Sequence, residues 1–446
     1  MFRVRAVSVV GVGYVGLVLA GCLASRGIRC YVTDKDEARL EAVRGGRASF
    51  YEPRLDGLLR RGLKRGALHV VDGTEDVVKK SDVTFIAVGT PSGEGGAVDS
   101  SYVKAASGDV GSALAGKGKW HVVVVKSTVI PGTTGGLVRG AVESASGLRC
   151  GDGFGLCMNP EFLQEGSAVE NMFHPDRVVV GEFDCRSGDA LCWLYRRFYG
   201  RRLSPILRMG LSSAEMVKYA SNAFLAAKVS YINEVAGICE GTVGVDVGDV
   251  AEGMGYDRRI GRRFLNAGLG FGGSCFPKDV KAFVAYARGR GLEPMLMRGV
   301  LEVNERQAVH GVELAERLVG DLKGKHVALL GLSFKPETSD IREAASLKII
   351  DQLLRLEAEV VVYDPAAMGE VKTLYGDRIL YAGSALDCLK GANCCIVVTE
   401  WEEFRRLKAV DFKRKMRAGA VVVDGRRVFN PEAFAGKVRY VAVGRG

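Results

Sequence analysis

The sequence contains no apolar run long enough to cross a membrane as a helix, which would need about 20 consecutive apolar residues. It also contains no long tract of lysine and arginine, although the net charge of the chain is +10. This charge permits an anionic ligand, but basic residues that are spread along the chain do not indicate nucleic acid binding. We therefore expect neither a membrane nor a nucleic acid as a partner.

Zinc-like cysteine spacing is missing as well. Eleven cysteines are present, but no two CxxC motifs pair, so we expect no metal site. A chain of 446 residues can bury a large core and needs no disulfide framework, although whether any cysteines pair is left open. Asparagine and glutamine are scarce, which favours a thermophilic source. The length predicts two or three domains.

The N-terminus imitates a bacterial lipoprotein signal, because two arginines precede an apolar stretch that ends at Cys22. Glycines interrupt that stretch at Gly11, Gly13 and Gly16. A strand followed by a helix explains this spacing better than a signal peptide does. We therefore expect a cytoplasmic protein.

The same region predicts a dinucleotide-binding unit. A buried strand, Val7–Val10, runs into the turn Gly11–Gly16, and the next strand ends at Asp34. In this context the glycines permit a tight turn, let the backbone approach a pyrophosphate and let the helix pack close to the sheet. Asp34 stands where an acid holds the ribose 2′-hydroxyl and repels a 2′-phosphate, so the pattern predicts NAD rather than NADP.

Further buried strands at Val83–Val88 and Val122–Val125 run into polar loops that contain Thr90-Pro91 and Ser127-Thr128. Ligands bind at the carboxyl ends of the strands in an open parallel sheet. These loops, together with the loop Asn159–Gly166, are therefore predicted to lie at a ligand-binding edge of a doubly wound domain.

From Ser212 the apolar residues recur at helical spacing as far as Tyr231, and Ser212 with Glu215 has the spacing of a capping box. A helix of this length suits a connecting spine and a dimer interface, and an ordinary core helix fits the pattern equally well. Lys218 and Asn222 are four residues apart and share one face of the helix. Their pairing beside apolar neighbours indicates a site.

The stretch Gly270–Asp279 places Cys275 behind a glycine-rich loop and before Pro277, a residue suited to the first turn of a helix. A cysteine at the positive end of a helix favours the thiolate, the reactive form. Lys278 is close enough in sequence to help, whereas the negative charge of Asp279 opposes thiolate formation. The alternative is an inert buried cysteine in a turn.

A second alternation of strands and helices begins at His326 and includes strands at Val327–Gly331, Val360–Tyr363, Cys395–Val398 and Val421–Val423. It lacks a full GxGxxG, so a mononucleotide is a better candidate ligand than a second dinucleotide. The predicted fold class is α/β, with two doubly wound Rossmann-like domains joined by a long helical segment.

These motifs together resemble the UDP-glucose/GDP-mannose dehydrogenase family, which oxidises the C6 alcohol of a nucleotide-linked hexose to a carboxylate. The run Phe264–Gly268, followed by the stretch Gly270–Asp279 that we call the cysteine loop, resembles the UDP-glucose branch in particular. The other motifs that carry the resemblance are Gly11–Gly16, Gly89–Pro91, Ser127-Thr128, Asn159–Gly166, Lys218, Asn222, Arg259–Gly261, Phe334–Pro336, Thr399–Trp401 and Asp424–Arg426.

The resemblance implies an NAD-binding domain over 1–205, a central helical and dimerisation segment with the cysteine loop over 206–305, and a UDP-binding domain over 306–446. It implies an oxidoreductase of nucleotide-sugar metabolism, as used in polysaccharide biosynthesis, that converts UDP-glucose to UDP-glucuronate with two NAD⁺. The implied intermediates are a thiohemiacetal and a thioester on Cys275. The implied assembly is a homodimer.

Residue roles follow from the same resemblance. The implied catalytic residues are Cys275, Lys218, Glu161, Asp279, Asn222 and Thr128. The implied cofactor contacts are Gly11, Gly13, Tyr14, Val15, Gly16, Asp34, Arg39, Thr90, Pro91, Ser127, Thr128, Glu165 and Arg342. The implied substrate contacts are Glu161, Phe162, Leu163, Glu165, Lys218, Asn222, Arg259 (from a neighbouring subunit), Phe264, Leu265, Asn266, Phe271, Gly272, Phe334, Lys335 and Arg426.

Three alternatives stay open at this stage. The same chemistry could act on GDP-mannose or a UDP-N-acetylhexosamine. A two-electron alcohol dehydrogenase of the 6-phosphogluconate type would share the first domain but would have no use for Cys275. A non-catalytic nucleotide-sugar sensor would keep the fold, but it would be expected to have lost Cys275 or Lys218, and both are present.

Overall fold

The computed structural model describes residues 2–200 and 204–446 and divides into two compact units, Met1–Ser221 and Asn222–Gly446. Each unit is built on its own largely parallel sheet with helices on both faces, so the α/β prediction with two Rossmann-like domains is confirmed. None of the helices formed by these residues is long and apolar enough to cross a membrane. The predicted division into three ranges stays a prediction.

The first unit contains a sheet with the strand order β3-β2-β1-β4-β5-β6-β7-β8. All neighbouring strands pair in parallel except β6 and β7, which are antiparallel. The order of the first six is that of a dinucleotide-binding fold, with its switch point between β1 and β4. The strands are β1 (Ala6–Val10), β2 (Arg29–Thr33), β3 (Leu68–Val70), β4 (Val83–Ile86), β5 (Val122–Val125), β6 (Gly155–Met158), β7 (Val178–Glu182) and β8 (Ile206–Gly210).

Helices cover both faces of this sheet, because its central strands are apolar on both sides. In β5, for example, Val122 and Val124 pack into one core and Val123 and Val125 into the other. The helices are α1 (Tyr14–Ser25), α2 (Glu37–Arg44), α3 (Leu55–Lys64), α4 (Thr74–Lys80), α5 (Ser101–Ala115), α6 (Arg139–Ser146), α7 (Ala168–Phe173), α8 (Cys185–Tyr199) and α9 (Leu211–Glu240), the last of which continues into the second unit.

The second unit repeats the dinucleotide-fold order in a fully parallel sheet, β11-β10-β9-β12-β13-β14. Its strands are β9 (His326–Leu330), β10 (Glu359–Tyr363), β11 (Leu380–Tyr381), β12 (Cys394–Val397), β13 (Val421–Asp424) and β14 (Arg439–Ala442). Its remaining helices are α10 (Val247–Gly255), α11 (Phe276–Arg288), α12 (Met295–Val319), α13 (Ala345–Arg355), α14 (Met368–Tyr375), α15 (Ala385–Cys388), α16 (Glu402–Arg405) and α17 (Ala409–Lys415).

The capping box predicted at Ser212 and Glu215 is wrong. Helix α9 begins at Leu211, directly after β8, so Ser212 lies inside the helix. The Glu215 carboxylate is buried and accepts hydrogen bonds from the Gly132 amide at 2.6 Å and the Thr134 amide at 2.7 Å. Glu215 therefore binds a loop that is distant in the sequence and does not cap its own helix.

Candidate active site

The glycine-rich turn after β1 leaves room for a phosphate group. Gly11 has φ +99°, and a Cβ placed there would lie 2.6 Å from the Ala87 carbonyl oxygen. A Cβ on Gly16 would overlap the Gly11 carbonyl oxygen, so only glycine allows α1 to lie this close to β1. Gly13 precedes Tyr14 and Val15 as the N-cap of α1, and no side chain caps this terminus. The first-turn amides are thus available to a pyrophosphate.

Asp34 follows β2 and lies beside this turn, as predicted. Its Oδ2 accepts the Val12 amide at 2.7 Å, and the Arg39 guanidinium is 3.9 Å from the same oxygen. The acid is therefore held in place by the turn itself. Since the glycines, the uncapped helix and the acid all have the geometry that a dinucleotide requires, the residues present fit NAD.

Glu52, which the sequence analysis did not single out, connects Tyr14 to the loop that contains Glu165 and Gly166. The buried Glu52 carboxylate accepts hydrogen bonds from the Tyr14 hydroxyl and from the Gly166 amide at 2.8 Å and the Val169 amide at 3.2 Å. It thereby ties the start of α1 to the loop after β6. Burial and the Glu52 carboxylate raise the pKa of Tyr14, so its phenol stays protonated.

The loops after β4 and β5 lie at the same edge of the first sheet. The buried Ser127 donates its hydroxyl hydrogen bond to the Val88 carbonyl at 2.7 Å, which joins the two loops directly. Thr128 and Thr90 are partly buried, and Pro91 is exposed. The structure thus brings these four residues to the carboxyl ends of β4 and β5, of which β4 flanks the switch point.

Glu161 and Lys218 form a buried ion pair in the first unit. The Lys218 Nζ is 2.8 Å from Glu161 Oε1, and the side chains are 4% and 6% exposed. The Leu163 amide donates to Glu161 Oε2 at 2.5 Å, and the Lys218 ammonium lies 5.6 Å from the centre of the Phe162 ring. Burial works to raise the pKa of Glu161, but Lys218, Leu163 and Lys126 together hold it below its usual range.

The Lys126 contribution was not anticipated from the sequence. Lys126 is buried at the end of β5, and its Nζ donates to Asn159 Oδ1 at 2.9 Å. Burial lowers its pKa to about 7. A lysine that directly follows an all-valine central strand of a parallel sheet was the available signal, because that position faces the ligand-binding edge.

In the second unit, Cys275 is the N-cap of α11 and Pro277 lies in its first turn, as predicted. The Asp279 amide donates to the Cys275 carbonyl at 2.8 Å, which starts the helix, and the Ser274 hydroxyl lies 3.4 Å from the Cys275 sulfur. The thiol is partly buried. The helix amides beside it provide the partial positive charge that favours a thiolate.

Asp279 is buried one turn into α11 and has both oxygens engaged. Asn222 Nδ2 donates to Oδ2 at 2.6 Å, and the Lys278 ammonium is 2.5 Å from Oδ1. The help that Lys278 was expected to give the thiolate is therefore directed to Asp279. This pairing offsets the negative charge that would otherwise oppose ionisation of Cys275.

Two glycines of the cysteine loop pack so closely against neighbouring groups that no side chain would fit at their positions. A Cβ on Gly272 would overlap the Glu343 carbonyl oxygen, and one on Gly273 would lie 2.7 Å from the Phe334 ring. The Gly273 amide donates to the Arg342 carbonyl at 2.8 Å. Phe334 and Arg342 thus pack against the segment before Cys275, which contains Phe271 and Gly272. The Lys335 ammonium lies 5.4 Å from the Phe334 ring centre.

Arg426 joins the same loop from the end of β13. Its Nε donates to the Val398 carbonyl at 2.7 Å, and one terminal nitrogen donates to the Gly270 carbonyl at 3.1 Å. Glu400 lies 3.6 Å from the same guanidinium. Arg426 is therefore held between the second sheet and the cysteine loop.

The residues before this loop are distributed differently. The Leu265 side chain is buried in the core of the second unit, and Asn266 Oδ1 accepts from Arg262 at 2.7 Å. Phe264 has φ +65° and its ring lies 6.1 Å from that of Phe276. Arg259 is 89% exposed and its guanidinium pairs with Asp257, so within one chain it is not gathered with the other predicted residues.

Asp364, at the end of β10, occupies the position in the second sheet that corresponds to Asp34, but both of its carboxylate oxygens already accept hydrogen bonds from the protein. Its Oδ2 accepts from the Leu332 and Ser333 amides, the Ser333 hydroxyl and the Trp401 indole, and its Oδ1 accepts from two further amides. An acid with these six hydrogen bonds is not available to a ribose, which argues against a second dinucleotide site.

Comparison with known proteins gives one family over nearly the whole chain. Residues 5–199 match the NAD binding domain of the UDP-glucose/GDP-mannose dehydrogenase family, residues 212–306 its central domain and residues 328–431 its UDP binding domain.

Individual relatives agree with this match. The UDP-glucose 6-dehydrogenase of Haloferax volcanii is 42% identical over 94% of this chain and 96% of that protein, and the enzyme of that name from Bacillus subtilis is 39% identical over 99% and 93%. The solved structure of a UDP-glucose dehydrogenase from the hyperthermophilic archaeon Pyrobaculum islandicum is 42% identical, covers 100% of this chain and 98% of that chain, and gives a TM-score of 0.91.

Proposed function

The chain belongs to the UDP-glucose/GDP-mannose dehydrogenase family and is an NAD-dependent oxidoreductase, and on that premise we propose that it oxidises UDP-glucose to UDP-glucuronate. The balanced reaction is UDP-glucose + 2 NAD⁺ + H₂O → UDP-glucuronate + 2 NADH + 3 H⁺. The observation that carries the proposal is Cys275 at the N-terminus of α11, in a loop packed against the second sheet.

The first unit supplies every cofactor residue in this proposal except Arg342, which belongs to the second unit. The pyrophosphate would be held by the turn Gly11–Gly16 and the ribose by Asp34 and Arg39. When bound, NAD⁺ supplies the oxidising chemistry by accepting a hydride from the substrate carbon, twice per turnover. The remaining residues that we assign to the cofactor are Tyr14, Val15, Thr90, Pro91, Ser127, Thr128, Glu165 and Arg342.

Cys275 would act once C6 has reached the aldehyde level. Its thiolate adds to the aldehyde carbon while the carbonyl oxygen takes up a proton, which forms a thiohemiacetal. When that oxygen loses its proton and C6 loses the second hydride, the C=O bond forms again and the same sulfur holds a thioester. Water then attacks the acyl carbon, the C–S bond breaks and the thiolate is restored. Cysteine suits this sequence because its thiolate is strongly nucleophilic near neutral pH and its thioester hydrolyses readily.

The buried polar groups would manage charge and protons at C6. Lys218 and Asn222, one turn apart on α9, would stabilise oxyanion character. Glu161 would be the base for hydrolysis, with Asp279 and Thr128 ordering the water. The lowered pKa of Glu161 supports this role, since a base must be ionised at the working pH.

The second unit would bind the UDP part of the nucleotide sugar. Phe334 and Lys335 would hold the UDP, and Arg426 the hexose. The cation of Lys335 beside an aromatic ring suits a nucleotide with a charged diphosphate. The other residues that we assign to the substrate are Glu161, Phe162, Leu163, Glu165, Lys218, Asn222, Arg259, Phe264, Leu265, Asn266, Phe271 and Gly272.

We further propose a homodimer formed through α9. Phe224, Tyr231 and Ile238 recur every seven residues and are 66%, 52% and 66% exposed, so they form an apolar stripe that a single chain leaves in water. Arg259, exposed and directed at no group of its own site, would reach the sugar site of the second subunit. A cytoplasmic location completes the proposal.

The test is the number of NADH formed per UDP-glucose, with the mass of the product. We expect two NADH and UDP-glucuronate. One NADH per substrate would indicate a two-electron alcohol dehydrogenase, and no NADH would indicate a sensor. If kcat/KM in the same assay were higher for GDP-mannose or a UDP-N-acetylhexosamine than for UDP-glucose, that nucleotide sugar would be the substrate.

A further inference from the structure

Lys126 is buried inside the first unit, with a side chain that is 5% exposed, and the proposed mechanism gives it no role. Its Nζ donates to Asn159 Oδ1 at 2.9 Å and to the Pro160 carbonyl at 3.3 Å. Asn159 Oδ1 also accepts from the buried Tyr195 hydroxyl. The lysine is therefore fixed to the backbone immediately before Glu161.

Glu161 thus has two lysines beside it. Lys218 contacts Oε1 directly at 2.8 Å, and Lys126, held on the residue before Glu161, acts on the same carboxylate through its charge. With both lysines protonated and Glu161 ionised, this cluster of Lys126, Glu161 and Lys218 carries a net charge of +1 in a buried region. Burial disfavours such an excess charge, so the cluster tends to lose one proton.

The proton comes from a lysine, because the pKa of Glu161 is already below its usual range. The pKa of Lys126 is lowered to about 7, chiefly by burial, while the charge of Glu161 works to raise it and the charge of Lys218 works to lower it. Since the two lysines interact through one carboxylate, the loss of the proton belongs to the cluster rather than to one side chain.

A small cavity gives the cluster access to water. It has a volume of about 80 Å³ and is lined by Lys126, Asn159 and Glu161. A water needs only about 10–15 Å³ of such volume and two to four polar partners, so several waters fit. The other ionisable groups that line it are Tyr195 and Tyr199 on α8 and His174, Asp176 and Arg177 before β7, and His174 and Asp176 are exposed.

We propose that Lys126 is a positioning residue for the oxidation: as a second buried cation held beside Glu161, it makes the cluster give up a proton to solvent and so leaves it able to take up the proton of the C6 hydroxyl. This inference rests on the proposed function. As the hydride leaves C6 for NAD⁺, the O–H bond breaks, its proton passes to Lys218 within the cluster, and the C=O bond forms. The proton then reaches solvent through the cavity.

The test is the pH dependence of kcat for NADH formation in the parent, Lys126→Met and Lys126→Arg. Without the second cation, Lys218 and Glu161 form a neutral pair that keeps its proton, so the acid limb of Lys126→Met should move up by about one pH unit or more. Its rate at pH 7 should fall roughly tenfold and recover at alkaline pH. Lys126→Arg keeps the second cation, and its acid limb should not move upward.

Lys117 provides a matched control. It is a partly buried lysine of the same unit that donates to the Val78 and Ser81 carbonyls, and burial lowers its pKa to about 8. Lys117→Met should leave the acid limb in place. If Lys126→Met lowers the rate equally at every pH, with the acid limb of the parent, Lys126 only supports the loop and the proposal is overturned.

A second measurement does not depend on turnover. In the unliganded protein with ¹³Cε-labelled lysine, the parent should show a lysine signal that titrates near neutral pH, that persists in Lys117→Met and that is lost in Lys126→Met. The absence of such a signal would overturn the inference. Failure of the parent to oxidise UDP-glucose, with the titration present, would instead contradict the proposed function and leave the cluster itself established.

Discussion

Asp34 combines two tasks at the scale of a single residue. Its Oδ2 accepts the Val12 amide of the glycine-rich turn, and its charge is proposed to select against a 2′-phosphate. Asp34→Asn keeps an acceptor for the amide but removes the charge. We expect kcat/KM for NAD⁺ to fall roughly ten- to a hundredfold, as for loss of a hydrogen bond to a charged group, with weaker discrimination against NADP⁺.

Steady-state kinetics with both cofactors measure this change. Asp72→Asn, which removes an exposed acid that pairs with Arg44, should leave the cofactor preference of the parent unchanged. Equal use of NADP⁺ and NAD⁺ by the parent at matched concentrations would show that Asp34 has been misassigned.

Single residues differ in how far the sequence predicts them. Cys275 and its position at a helix start could be predicted because the determinants, glycines and Pro277, are neighbours in the chain. The contacts of Glu52 and Lys126 could not be predicted, because their partners Tyr14, Gly166 and Asn159 lie 33 to 114 residues away. Only the folded sheet brings them together.

At the scale of elements, His310 on α12 fastens the end of α9. Its Nε2 lies 2.8 Å from Glu240 Oε2, its Nδ1 lies 3.2 Å from Glu313, and the Gly444 amide donates to Glu240 at 2.8 Å. The hydrogen bond to Glu240 is the main cause that raises the pKa of His310. Because the folded pKa is raised, the stabilisation is complete below the unfolded value of about 6.5 and is lost as the pH rises through the folded pKa.

His310→Gln should therefore be less stable than the parent by roughly 1.5–3 kcal/mol at pH 5.5, the usual contribution of a hydrogen bond to a charged group. The difference should be smaller at pH 8.5, because a larger fraction of His310 in the parent has lost its proton there. Urea unfolding at the two pH values measures it. A difference that grows with pH would contradict the assigned protonation.

The elements themselves follow the sequence where the pattern is local. The valine run of β5 and the apolar strands of the second sheet occur within one or two residues of the predicted bounds. The predicted start of α9 failed because Glu215 contacts Gly132 and Thr134, a long-range contact that spacing does not show. Strand β8 joins α9 without a loop, so no turn residue marks the boundary.

At the scale of the whole molecule, the stripe on α9 predicts the assembly. Ile238→Asp places a charge within the proposed dimer contact, where it would be buried without a partner. We expect a shift from dimer to monomer in light scattering and a loss of activity at low protein concentration, because Arg259 would no longer reach the second subunit.

Leu374→Asp is the matched control, since Leu374 on α14 is 58% exposed but lies outside the stripe. It should remain dimeric and active. If the parent protein is monomeric and fully active at assay concentration, both the proposed dimer and the proposed role of Arg259 in a second subunit are contradicted.

The order of motifs along the chain predicted the family and the NAD requirement, because each motif is short and keeps its own local geometry. The substrate is harder to predict. Discrimination among nucleotide sugars depends on groups such as Arg426, which is tethered to the Val398 and Gly270 carbonyls, and on Arg259, which is exposed in a single chain. The sequence of one chain does not show which contacts these arginines make, because those contacts depend on the bound sugar and on the second subunit.

The central claim is covalent catalysis by Cys275, and the most direct test is Cys275→Ala. The variant removes the nucleophile but none of the groups assigned to UDP or NAD, so it should bind UDP-glucose and NAD⁺ with near-normal affinity and form almost no UDP-glucuronate. Removal of a nucleophile typically lowers the rate by several orders of magnitude, whereas Cys239→Ala, in the buried core, should affect stability and leave turnover largely intact. If folded Cys275→Ala still releases two NADH per UDP-glucose within about tenfold of the parent rate, the account is contradicted.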